Sequence, residues 1–413
     1  MFGSDLLRRL SIRSFALLRI RGASNWLIPE ELVPAHSSVY PEDATRLLSV
    51  GANGGDISII KYNPSRDTLV HASVYSEPNF QPSWQSVHPV ERDILYSVDE
   101  ANPGGLVSFH LDRGSGTLRK LSRSNGINGT VSIAIQNNLV VVAAYLGQSV
   151  QAFETNDQGD ISNPRDTFTY SLNQPGTDPE RQEAPHPHQA LIDPSGRFIV
   201  VPDLGADLLR LYAINGTRIS ELPAVPIPPG SGPRHGHFLE LDLPIARQTM
   251  FYLVTELRNS VIVYTVDYPK TGSMTFSRVQ EIDTLPGIDT RNATVPPNAG
   301  EIVISNDKRF LYVSNRNDFT FKNRAYGPSD SIALYKIDCE TGLLTFVKLM
   351  EAGGIMPRHF SFDPSNEYVA IALQLSDVVV MYRRNAATGE FIAPEYDETR
   401  ITIPNKPVCI QWL

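Results

Sequence analysis

Residues 359–394 read HFSFDPSNEYVAIALQLSDVVVMYRRNAATGEFIAP. Short β-branched or aromatic runs (HFSF, YVAIAL, VVVMY, EFI) alternate with DPSN, QLSD and NAATG, which are rich in turn formers. Four strands joined by tight turns are predicted here, the third ending on Tyr382. The same order recurs upstream. HQALIDPSGRF (188–198) leads into FIVVPDL, and EIVISNDKRF (301–310) leads into FLYVSNR. Third strands end on Tyr62, Phe109, Phe153, Tyr212, Tyr264, Tyr335 and Tyr382. The spacing averages about 53 residues, a period that signals a propeller or another repeat array. Four strands per repeat make a propeller blade, and seven aromatics predict seven blades.

The first repeat is incomplete. LLSVGANGGDISIIKY (47–62) supplies a second and a third strand with no first strand before it, while ITIPNKPVCIQWL (401–413) is a strand too many at the other end. Val408–Leu413 is therefore expected to be the inner strand of blade one, closing the ring and removing the open sheet edges. The predicted fold class is all-β: a seven-bladed β-propeller over 47–413, with 1–46 as a separate leader.

Length alone, 413 residues, suggests two or three domains; the repeats reduce that to one. Hydrophobic residues at 41% and charged residues at 20% suit a folded globular chain. The net charge of −9 makes nucleic acid an unsuitable partner, since phosphate binding needs clustered Lys and Arg. Residues 1–28 carry Arg8, Arg9, Arg13, Arg19 and Arg21 against Asp5, so a basic leader precedes a body of net −13. An Arg-rich, acid-poor, Ser-containing start describes a mitochondrial presequence. A cytoplasmic location is the default expectation. The sequons at Asn128, Asn215 and Asn292 matter only if the chain is secreted. No run of about 18 apolar residues predicts a membrane span. Cys339 and Cys409 stand 70 positions apart without a CxxC pattern and are read as free thiols. No metal, no cofactor and a monomer are expected.

In a blade, the start of the first strand and the end of the second share one face. Polar residues cluster at those positions. First-strand starts carry His186 and His188 (APHPHQA), Arg234, His235 and His237 (GPRHGHF), Glu301 (NAGEI), and Arg358 and His359 (MPRHF). Second-strand ends carry Glu100, Tyr145, Asp203, Glu256, Arg316 and Gln374. Seven repeats bring these around one channel mouth, where Arg, His and carboxylate suit an anionic or carbonyl substrate and acid–base chemistry. Asp203 reads as a turn cap; His235, His237 and His359 read as packed histidines between blades. His186 with His188 is a poor metal pair, because no third ligand is defined. No GxSxG elbow, phosphate loop, dinucleotide fingerprint or HExxH occurs.

Through HPHQALIDPSGRFIVVPDLGADLLRLYAI, GPRHGHFLELD, AGEIVISNDKRFLYVSNRND, MPRHFSFDPSNEYVAIALQLSDVVVMYRR and PVCIQWL, the chain resembles the seven-bladed propeller lactonase family. That family includes 6-phosphogluconolactonases, fungal aldonolactonases and the fungal carboxymuconate cyclase. The resemblance runs from about residue 47 to the C-terminus. It implies a catalytic set of His188, Arg234, Glu256 and Arg316; the channel-mouth cluster itself offers His186, His235, Glu301, Arg358 and Tyr145 as substrate-binding residues. Two positions depart from the family pattern: Ser132 stands where a His is usual and Ala144 where an Asn is usual. The implied activity is hydrolysis of a sugar lactone such as 6-phosphogluconolactone or gluconolactone, with Glu256 or His188 as base and the arginines on the oxyanion and an anionic substituent. Cycloisomerisation of a carboxymuconate is the alternative enzymatic reading. A non-enzymatic binding platform is the third, and it requires the four residues to lie more than about 10 Å apart, beyond one substrate.

Overall fold

The innermost strand of blade one is Pro407–Trp412, as the repeat count predicts. It pairs antiparallel with Arg46–Ala52, in the register Leu48↔Trp412, Ser49↔Gln411 and Val50↔Ile410. Outward in the same sheet come Asp56–Asn63 and Thr68–Ser76. The computed structural model describes residues 45–413 apart from 127, 245–246, 271, 290–292, 324–325 and 393–398. The leader predicted over 1–46 thus lies outside the described residues except for Thr45 and Arg46, and Arg46 already opens a strand. The sequon at Asn292 lies outside them too.

Six further antiparallel blade sheets follow in chain order, each running outward from its first strand, and a two-stranded ribbon, Phe321–Asn323 with Gly327–Ser329, is inserted in blade six. Five of the six blade sheets have four strands. In blade seven the outer position is shared by Phe391–Ile392 and Arg400–Thr402, both paired with Val378–Arg384. All seven repeat aromatics lie on third strands and are buried. They lock neighbouring blades together. Seven apolar clusters fill the seven interfaces between successive blades, including the one between blades seven and one. One cluster per interface is the signature of a closed ring.

The closing strand has energetic weight. Val408, Cys409, Ile410 and Trp412 are at most 5% exposed, and the Trp412 indole Nε1–H donates to the Ser361 carbonyl at 3.0 Å across the closure. Replacing Trp412 with alanine is expected to lower the unfolding free energy by about 3–5 kcal/mol, the usual cost of emptying a buried aromatic site. Urea denaturation followed by far-UV dichroism checks this.

One irregularity recurs where the blades meet the channel. The pairing of first with second strand slips between Thr130 and Ser132, Pro233 and His235, Ala299 and Ile302, and Pro357 and His359. A bulge at the start of an inner strand turns an extra side chain out of the alternation. The residues within these slips are Val131, Arg234, Gly300 with Glu301, and Arg358. In blade four the equivalent stretch is held only by a bridge from Pro187 to Asp203 before regular pairing begins at Leu191. His188 stands in that gap, so APHPHQA is an extended loop and not a strand.

Candidate active site

The slips aim side chains into one small cavity at the centre of the ring. It is lined by Ser83, Trp84, Val131, His188, Arg234, His235, Glu301, Arg358, His359 and Val408. Its volume is about 10 Å³, room for about one water molecule. A substrate therefore meets these groups from the channel mouth, where Arg358 and Arg181 are partly exposed.

Glu256 organises one side. Its Oε2 lies 2.8 Å from Arg234 Nε and 2.9 Å from Arg316 Nη2, and Arg181 donates to its Oε1. The Arg234 Nε contact is an ion pair whose angle is too poor for a hydrogen bond. Burial alone would raise the Glu256 carboxyl; Arg316, Arg234 and Arg181 outweigh it and hold the group well below the usual carboxylate range. A carboxylate held so firmly ionised is a weak base, so it anchors guanidinium groups and leaves proton transfer to others. Burial, then the neighbouring Arg316, lowers Arg234 to about 9, still cationic at neutral pH. Arg316 also donates from Nη2 to the Ala299 carbonyl at 2.9 Å, and Arg234 Nη1 donates to the Gly300 carbonyl at 3.0 Å. Position 300 is tight: a Cβ there would stand 2.6 Å from Ser314 Oγ, which accepts the Glu301 N–H, and 3.3 Å from Arg316 Nε.

The other side is a chain of imidazoles. His188 Nδ1 lies 3.1 Å from His235 Nε2, and His235 Nδ1 lies 3.1 Å from both carboxylate oxygens of Glu301. His359 Nε2 approaches Glu301 Oε2 at 3.5 Å. The Trp84 ring stands nearly perpendicular to both His235 and His359, with centroids 5.4 and 5.2 Å away. Burial, followed by the positive charge of Arg234, keeps His188 neutral well below the usual histidine range. His235 falls to about 4, chiefly through burial. Neutral imidazoles beside cations are the expected state of an acid–base group awaiting a substrate.

The remaining sequence-derived candidates fall at graded distances from this centre. Arg358 faces Glu100 at 3.7 Å, a loose pair that leaves its guanidinium available. Tyr145 stands edge-on to His188 with centroids 5.6 Å apart and stacks on His186 at 4.0 Å. His186 does not line the cavity. Its two ring nitrogens are taken by the Tyr145 carbonyl at 3.0 Å and Glu183 at 2.9 Å, so it props Tyr145 from behind. Asp203 accepts from the His186 and Ala206 N–H groups and pairs with Arg210. His237 bonds the Phe238 carbonyl. Ser132, the departure in blade three, accepts from the Ala190 N–H at 3.2 Å. Cys409 is buried and Cys339 exposed, both free; burial pushes the Cys409 thiol up to about 12, which removes it as a nucleophile.

Arg181 and Trp84 escaped the sequence reading. Arg181 sits in the loop QPGTDPERQEAP, which has no strand period to give it a place. Trp84 immediately precedes the first strand of blade two, Gln85–Val87, and stands at the position that His235 and His359 occupy in their own blades: Pro82-Ser83-Trp84 aligns with Pro233-Arg234-His235 and Pro357-Arg358-His359. Comparing blade starts could have found it.

Residues 44–412 match the family model described as lactonase, 7-bladed beta-propeller. The chain belongs to this family. It is 32% identical to a probable 6-phosphogluconolactonase of Arthroderma benhamiae over 89% of both chains. It is 30% identical to a 6-phosphogluconolactonase of Bacillus subtilis over 78% of this chain and 84% of that one. A solved Bacteroides fragilis structure, assigned as a 6-phosphogluconolactonase, superposes with a TM-score of 0.75 at 26% identity, covering 91% of this chain and 99% of its own. In this lactonase-family chain Glu256 touches both Arg234 and Arg316, and His188 lines the same cavity as Arg234. The separation that a mere binding platform requires is therefore not met.

Proposed function

We propose that this lactonase-family enzyme hydrolyses a sugar lactone bearing an anionic group, with 6-phosphogluconolactone the first substrate to test. The observation that carries the proposal is the placement of His188 beside guanidinium groups that outnumber their carboxylate partners. Arg181, Arg234 and Arg316 share the single carboxylate Glu256, and Arg358 is only loosely paired. Such a site attracts negative charge, both on the bound lactone and on the oxyanion formed at its carbonyl.

In this mechanism His188 Nε2 takes a proton from water as the water oxygen adds to the lactone carbonyl. The π pair moves onto the carbonyl oxygen, opposite Arg234 and Arg316. Collapse of the tetrahedral intermediate breaks the bond to the ring oxygen, which takes the proton back from His188. The products are the open-chain acid and an unchanged enzyme. Acid release from 6-phosphogluconolactone and gluconolactone by purified protein tests the proposal, and failure to accelerate either one refutes it.

Arg358 discriminates between the two substrates. Hydrogen bonds to a charged group are worth about 1.5–3 kcal/mol, so Arg358→Gln is expected to raise KM for the phosphorylated lactone about 10- to 100-fold. KM for the uncharged lactone should change little. Equal effects on both would show that Arg358 does not hold the anion.

A further inference from the structure

The hydrogen-bond donors around Glu301 determine where the protons of the imidazole chain lie. The Ile302 N–H donates to Glu301 Oε1 at 3.0 Å. His359 accepts the Ile410 N–H at its Nδ1, at 3.3 Å, so its own proton sits on Nε2, facing Glu301 Oε2. Burial would raise the Glu301 carboxyl, but His235, His359 and Arg234 hold it down. Glu301 is therefore an acceptor only, and His235 must offer it an N–H from Nδ1. That leaves His235 Nε2 as a lone pair, which can only accept from His188 Nδ1.

Arg234 does not disturb this order. Its Nη1 lies 3.2 and 3.3 Å from the two ring nitrogens of His235. A position that close to both within the ring plane would collide with Cε1, so the guanidinium covers the ring face. The in-plane positions remain for Glu301 and His188.

We propose that Glu301 and His235 form a relay that holds the proton of His188 on Nδ1 and presents its Nε2 lone pair as the catalytic base. Both act as positioning residues, as they act through His188. Among the described residues no protein group pairs with His188 Nε2. Around His188 stand Arg234, Arg316, Arg358, His235 and the Tyr145 ring edge. The three cations oppose a charged His188, and the relay offsets them: a proton arriving on Nε2 is stabilised through two hydrogen bonds by the Glu301 carboxylate. The logic is that of a carboxylate fixing a catalytic imidazole, with a second imidazole inserted between them. The catalytic use of the relay rests on the lactonase reading; the tautomers do not.

The experiment is ¹⁵N NMR of histidine-labelled full-length protein without substrate, with the His188 resonance assigned by its loss in His188→Gln. Neutral His188 and His235, each protonated on Nδ1, are expected. A His188 proton on Nε2 would overturn the relay and leave the lactonase reading untouched. The isosteric Glu301→Gln variant then tests the function. With the relay in use, kcat falls about 10²-fold, at the lower end of what acid–base catalysis contributes, with KM little changed. The Nδ1–H population of His188 should drop in parallel. A folded Glu301→Gln protein with wild-type kcat would overturn the catalytic role. Wild-type protein with the expected tautomers but no lactone turnover would refute the proposed reaction while supporting the relay.

Discussion

His188→Ala is expected to lower kcat by about 10²–10⁴-fold, the share that general acid–base catalysis supplies. The effect is confined to turnover. Among the described residues His188 makes one polar side-chain contact, with His235, whereas the guanidinium groups proposed to bind the anion are held by Glu256, by the Ala299 and Gly300 carbonyls and, loosely for Arg358, by Glu100. KM should therefore stay near the wild-type value. The pH profile gives a second readout. Because burial and Arg234 depress the pKa of His188, the base form persists below the ordinary value of 6.5, and activity declines only as pH falls through the lowered value. A wild-type acid limb at or above pH 6.5 would contradict this. In His188→Ala the residual rate should lose that limb.

Glu256→Gln is expected to cost about 3–5 kcal/mol of stability at neutral pH, because removing one partner of a buried ion pair leaves the other charge uncompensated. Here three guanidinium groups lose their shared counter-charge, two of them on buried residues. The sign of the pH dependence follows from the depressed pKa of Glu256. Its stabilising contribution is complete above the ordinary carboxylate value of 4.5 and is lost as pH falls toward the lowered one. Urea unfolding between pH 3 and pH 7 should thus show a steeper acid loss in wild type than in Glu256→Gln. Parallel curves would mean that Glu256 does not hold the arginines through its charge. Turnover in the variant should also fall, since Arg234 and Arg316 are free to separate.

The sequence made the ring legible because each blade repeats one local grammar: turn residues at fixed offsets and a third strand ending on a buried aromatic. Tyr62 and Tyr382 could be placed without any knowledge of contacts, and the missing strand of blade one required Val408–Leu413. Convergence of Arg234, Glu256 and Arg316 was legible for the same reason, since strand starts and strand ends share a face. The relay was not. His188, His235 and Glu301 belong to blades four, five and six, and their alignment depends on the slips in pairing at Pro233 and Ala299. A slip of one residue leaves no trace in hydrophobic alternation that a short polar start can reveal. His186 shows the opposite limit. Two positions before His188, it looks equivalent in sequence, yet its nitrogens are consumed by Tyr145 and Glu183. Arg181 lay beyond reach because its loop contains neither period nor motif.

The closing strand also governs how the protein comes to be folded. Ser49 and Gln411, facing each other in blade one, are separated by 362 positions in the chain. Contacts this distant slow folding, because the loop between them must be ordered before they contribute. Blade one cannot mature until the other six have been synthesised, and until then Arg46–Ala52 presents an unpaired edge to other nascent chains. Defects in the Pro407–Trp412 strand should therefore appear first as a poor yield of soluble protein during synthesis, out of proportion to the lowered stability of the molecules that do close.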